Sequence, residues 1–273
     1  MQKKYIISQA NLQRDLFNFG EYNDNEVEYA KKDVDILLDV KKYIDNNNKI
    51  NTQEIMKMIF PINVPHLFIS HKSEFASDAI RLANVLYDKF NIVSFIDSQV
   101  WHHIDDVGNM INQKVSKIRE DGFSTTYNHR SANIVASNMF AMLSSSLFEV
   151  MDCSDGFIYI DSNNNLVDTL EKDKATGLKT QSPWIFLEMI YASKLRKKMH
   201  VRPRIMAEDG MFKSKVGAES RSIEDRVSFH YSADIIDSIE VSSFSDILNM
   251  PRNQSHPLLN LDNIYNKLDM RYI

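Results

Sequence analysis

Between Leu67 and Asp97 the chain reads strand, helix, strand, and this stretch restricts the fold more than any other. Leu67-Phe68-Ile69 is a short apolar run. Ala76 to Phe90 then sets Ile80, Ala83, Val85, Leu86 and Phe90 at helical spacing. Ile92-Val93-Ser94-Phe95-Ile96-Asp97 is a second strand. Two strands joined by a helix within about 30 residues make a βαβ unit, whose strands are parallel. The same alternation continues downstream. Helical segments are predicted around Val107–Arg119 and Ala132–Met151, separated by a polar loop from Gly122 to Ser131, and Gly156–Asp161 is a third strand. A long polar loop, 162–181, follows; loops of that length are more often functional or mobile than plain connectors. Ser182-Pro183-Trp184 opens a helix predicted to run to about Lys198, with serine as N-cap and proline at the first helical position. Val201–Met206 and Ile239–Phe244 are weaker strand candidates, the first pushed towards a sheet edge by Pro203. The reading is α/β with a mostly parallel sheet.

Residues 1–64 are predicted to be a polar helical extension. Val27, Ala30, Val34, Leu37, Leu38 and Ile44 recur at roughly helical spacing, and Asn51 with Glu54 forms a capping box for a second helix, Ile55 to Phe60. The expected organisation is this extension, an α/β domain over 65–250 with long insertions at 98–154 and 162–181, and a C-terminal tail or helix over 251–273.

Composition removes several function classes. The 273 residues are 43% hydrophobic and 25% charged, which is ordinary for a globular protein. A net charge of -5 makes no electrostatic case for nucleic acid. The single cysteine, Cys153, forms no internal disulfide and suits a reducing compartment. Met1 to Ile7 starts like a signal peptide, but Ser8, Gln9 and Asn11 interrupt it, and no run of about 20 apolar residues is evident. A cytoplasmic protein without a membrane partner is therefore expected. The eight histidines form no metal pattern and the seven scattered glycines form no phosphate loop, so neither a metal nor a cofactor is expected.

In an open parallel sheet, ligands bind beyond the carboxyl ends of the strands. Three segments fall there: Ser70-His71-Lys72-Ser73 after the first strand, Asp97-Ser98 after the second, and the loop ending in the Ser182–Glu188 helix start after the third. Trp184 and Glu188 are four residues apart and share a helix face. An indole beside a carboxylate suits a flat heteroaromatic ring attached to a sugar, and the helix N-terminus suits a phosphate. Each residue also has a plainer reading. Glu188 is then a solvated helix residue, Trp184 a core or boundary aromatic, Ser70 and Ser73 turn or N-cap residues, Lys72 a surface lysine, and Asp97 a strand terminator.

Phe68-Ile69-Ser70-His71-Lys72-Ser73, Phe95-Ile96-Asp97 and Ser182-Pro183-Trp184-Ile185-Phe186-Leu187-Glu188 resemble the characteristic boxes of TIR domains, in particular the bacterial NAD-consuming members. The resemblance covers roughly residues 66–206. It implies a flavodoxin-like open sheet flanked by helices, and an enzyme cleaving the nicotinamide–ribose bond of NAD+ as hydrolase or cyclase, in bacterial anti-phage defence or signalling. It assigns catalysis to Glu188 and substrate contacts to Trp184, with Ser70, His71, Lys72, Ser73, Phe95, Asp97 and Ser182 lining the substrate site. NAD+ is then substrate, not cofactor. It further implies self-association through the domain, with an activating partner protein or a downstream effector. Cleavage builds positive charge on the ribose carbon while nicotinamide leaves neutral, so one carboxylate suffices and no general acid is needed. Two other readings stand beside it: a non-enzymatic TIR module acting by protein–protein association, and a nucleoside deoxyribosyltransferase-like enzyme acting on free nucleosides.

Overall fold

The computed structural model describes residues 3–19, 22–25, 27, 50–60, 64–120, 125–161, 171–173, 177–180, 182–195, 231–232, 235, 237–253 and 255–269. The chain forms two compact units. One comprises residues 1–31, 64–97 and 148–273, the other 32–63 and 98–147.

The first unit is α/β. Among the described residues its main sheet has five strands: β1 (Lys3–Ser8), β2 (Leu67–His71), β3 (Ser94–Ile96), β4 (Gly156–Asp161) and β5 (Ile239–Val241). They lie in the order β5-β1-β4-β2-β3, and every neighbouring pair is parallel. The N-terminus therefore departs from the expected helical extension. Lys3–Ser8 is a strand inside the sheet, flanked by β4 and β5, followed by helix α1 (Gln9–Phe17). The apolar run Tyr5-Ile6-Ile7 is only three residues long and follows two lysines, so local pattern does not mark it as a central strand. Partners from distant parts of the chain do.

One sheet face carries Tyr5, Ile7, Leu67, Ile69, Ile158 and Ile160 and forms the main apolar core. It is packed with residues of α1, α2 (Ala76–Phe90), the short α4 (Ser245–Leu248) and α5 (Pro257–Asp269). Helix α2 ends where the sequence predicts. Asn91 takes a left-handed conformation (φ 56°), and its N–H donates to the carbonyls of Leu86 and Tyr87. The segment after residue 251, expected as a tail or helix, supplies α5, whose Leu261, Ile264 and Leu268 are core residues. Tyr5 and Lys3 both meet Asp269 of this helix, with Tyr5 Oη donating at 3.2 Å.

Another long-range tie is buried. The Asp15 carboxylate accepts a hydrogen bond from the Phe244 N–H at 2.6 Å. Asp15→Ala leaves that buried N–H without its acceptor, so we expect a loss of about 1–3 kcal/mol. Thermal denaturation should show a fall of roughly 2–4 °C for each kcal/mol. An unchanged melting temperature would mean the N–H finds another acceptor.

The opposite sheet face is aromatic. Phe95, Phe68 and Phe157 align across β3, β2 and β4, with ring centroids 5.2 and 5.8 Å apart. Helix α3 (Pro183–Lys194) lies against β2 and buries Ile185, Glu188, Met189 and Ala192. It ends at Lys194, short of the predicted Lys198. The loop 162–181 holds two short strands, Glu171–Asp173 and Gly177–Thr180, in an antiparallel sheet with Tyr231–Ser232. The strand expected at Val201–Met206 lies outside the described residues, as does most of the helix expected between Asp24 and Asn46.

In the second unit, helix Thr52–Ile59 is capped by Asn51, whose side chain accepts from the Glu54 N–H at 3.4 Å, and it packs on helix Ser98–Val115. The predicted helix through Arg119 stops at Val115. Lys117–Glu120 is instead an exposed strand paired antiparallel with Thr125–Tyr127, inside the segment read as a loop. Helix His129–Cys153, which belongs to this unit up to Leu147, is by length and composition alone long and apolar enough to cross a membrane, contrary to the expectation of no such run. Its Val135, Met139, Leu143, Leu147 and Met151 are buried at helical spacing, the pattern of a core-facing stripe.

Candidate active site

Three elements of the first unit meet at the carboxyl edge of the sheet: the end of β2, the residue after β3, and α3. Pleating puts Ser70 on the same face as Phe68, towards α3. The start of α3 is fixed locally. The Ser182 Oγ accepts from the Ile185 N–H at 3.3 Å, Pro183 occupies the first turn, and the buried Thr180 Oγ1 accepts from the Ser182 N–H at 3.1 Å. Glu188 then lies in the second turn, over Ser70.

Ser70 Oγ donates a short hydrogen bond to Glu188 Oε2, across 118 residues of sequence. Both residues have no exposed surface. Asp97 and His71 are also buried, and Nδ1 of His71 lies 3.2 Å from Oδ1 of Asp97. The Asp97 carboxyl is itself within hydrogen-bonding reach of Glu188. Burial, and next the charge of Asp97, push the Glu188 carboxyl well above its usual range, while the Ser70 hydrogen bond pulls the other way. Burial and the neighbouring carboxyl thus bias Glu188 towards its protonated form.

The residues singled out in the sequence divide into three groups. Ser70, His71, Asp97 and Glu188 come together. Ser182 serves as the helix cap, and Trp184 is half-buried one turn before Glu188. Phe95 is buried in the aromatic row, Lys72 pairs with Glu74 at 2.9 Å, and Ser73 is exposed at the start of a short 3₁₀ turn. One carboxylate suffices for the expected chemistry, whereas Asp97 and Glu188 stand side by side. The signal for the second was the position of Asp97 at the end of a strand adjacent to β2, but its proximity to Glu188 depends on where α3 lands.

Chemically, the cluster holds a carboxyl whose charge can be switched by one proton, a hydroxyl that orients it, and a second carboxyl that opposes its ionisation. No family model, curated protein or solved structure matches the chain.

Proposed function

We propose that the chain has a TIR-like, flavodoxin-like fold and cleaves the nicotinamide–ribose bond of NAD+, as a glycohydrolase or cyclase. The observation that carries this reading is the meeting of Glu188 with Ser70 and Asp97. Ser70, Asp97 and Glu188 come from the three segments that resemble TIR boxes, and they share one buried cluster.

In the proposed reaction the C–N bond between ribose and nicotinamide breaks, and its electron pair leaves with neutral nicotinamide. The positive charge that develops on the ribose carbon is stabilised by ionised Glu188. Ser70 fixes the carboxylate by its hydrogen bond, and Trp184, half-buried on the same helix, provides a flat apolar surface for the ring. Water attack yields ADP-ribose; attack from the adenosine half yields a cyclic product. Self-association, an activating partner and a role in bacterial anti-phage defence or signalling belong to the same proposal.

Incubating the purified protein with NAD+ over a range of protein concentrations tests it. Release of nicotinamide, lost in Glu188→Ala, is the expected result, and chromatography of the second product separates hydrolysis from cyclisation. Absence of turnover at every concentration would favour the second reading, a TIR module acting by protein association. The complete burial of Glu188, which pushes its carboxyl upward, fits that reading as a structural role.

A further inference from the structure

Glu188 Oε1 is buried and receives no hydrogen bond from any group among the described residues. The other oxygen, Oε2, already accepts from Ser70. A bare carboxylate oxygen in that position is costly, because nothing replaces the water it has lost. A proton carried by the carboxyl removes the difficulty, and Asp97 stands within reach to accept it. We propose that Asp97 and Glu188 form one proton-sharing pair, with the proton on Glu188 in the resting protein, and that loss of this proton arms the site.

The two acids are not equivalent. Asp97 has His71 Nδ1 at 3.2 Å and retains slight exposure, so it is the better site for the negative charge. Glu188 has a hydroxyl on one side, an acid on the other and no exposure. Among the described residues, the elements packed against α3 also carry Lys179 and Tyr231. Tyr159 and Asp161 come from β4, on the sheet face that carries Ser70, and α3 supplies none between Pro183 and Ile190 except Glu188 itself. Ordered this way, Asp97 acts through Glu188 as a positioning residue.

The arming step rests on the function proposed above; the pair does not. A neutral acid cannot stabilise a cationic ribose carbon. When a positively charged nicotinamide ring approaches, a second negative charge becomes affordable, and the Glu188 proton passes to solvent. Two carboxylates then face one cationic substrate, and turnover rises with pH.

The test is a pH titration of the full chain carrying ¹³C at its side-chain carboxyls, with Glu188→Gln assigning the resonance. The Glu188 signal is expected to remain that of the protonated acid after the other glutamates have ionised. It should also share inflections with Asp97, because strongly coupled groups titrate jointly. Asp97→Asn should lower the Glu188 midpoint by about one pH unit or more. Ionisation of Glu188 along with the other glutamates, or a midpoint unmoved in Asp97→Asn, would overturn the pair. If that variant does not fold, the shared inflections of the wild-type protein decide alone. Turnover of NAD+ should increase through the wild-type midpoint; a coupled pair in a protein without turnover at any pH would refute the catalytic reading and the arming step while leaving the pair standing.

Discussion

Glu188→Gln should abolish the proposed NAD+ cleavage and, at alkaline pH, make the protein more stable. Glutamine retains the shape of the protonated acid. Its carbonyl can accept from Ser70, and its N–H₂ can donate towards Asp97, but it cannot become an anion. Under the proposed function, losing the charge that would stabilise the ribose cation should lower turnover by at least about a hundredfold. The stability effect follows from linkage. The Glu188 carboxyl is raised in the folded chain above its ordinary value of 4.5, so the folded state holds a proton that the unfolded state releases. Below about pH 4.5 both states are protonated and the group contributes nothing. Above it, stability falls as pH rises, by up to about 1.4 kcal/mol per pH unit for a single proton, until the folded-state carboxyl itself ionises. The glutamine variant is free of this loss, so its advantage over wild type should widen between pH 5 and pH 8. Denaturant unfolding at the two pH values measures it. An equal difference at both would show that Glu188 is not held neutral.

Gly156→Ala is expected to cause the largest loss of stability away from the site. Gly156 opens β4, and a Cβ there would run into the hydroxyl of Tyr265 and approach Leu67 Cδ2 at 2.8 Å. Neither neighbour is free to yield. Leu67 and Tyr265 are core residues, and Tyr265 Oη donates to the buried Asp155 at 3.0 Å. Overpacking together with disturbance of that hydrogen bond should cost roughly 2–4 kcal/mol, a fall in melting temperature on the order of 10 °C. Adding Tyr265→Phe removes the atom that clashes, so the double variant should lose less than the sum of the two singles. Strict additivity would place the strain elsewhere, and a melting temperature equal to wild type would show that the strand shifts to admit the methyl group.

Much of the first unit was legible in the chain. Helix Ala76–Phe90 and strand Gly156–Asp161 occur with the bounds read from their patterns, and the Ser182-Pro183 signal opens α3 where expected. Those features are local: apolar periodicity, a cap and a proline act within a few residues. The misreadings are also informative. Tyr5-Ile6-Ile7 is too short to declare itself, yet it pairs along its whole length with Gly156–Asp161. Lys117–Glu120 follows a helix without a strong stop signal and was absorbed into it, although it forms an exposed hairpin strand.

The site shows the same division. That Ser70, Asp97 and Glu188 belong near one sheet edge followed from the βαβ pattern and the rule for parallel sheets. That Glu188 has no exposed surface did not follow. A glutamate in the second turn of a helix ordinarily faces water, and helical periodicity does not say which strand lies beneath it. By itself, the sequence determined the types of its clearest elements, the parallel sense of the sheet and the residues at its carboxyl edge, because these depend on neighbours along the chain. Only the tertiary structure decided that β1 completes the sheet between β4 and β5, and that Glu188 is fully buried beside Ser70 and Asp97. Strand order and the removal of water from a carboxyl both arise from contacts between segments far apart in sequence, where no local pattern carries the information.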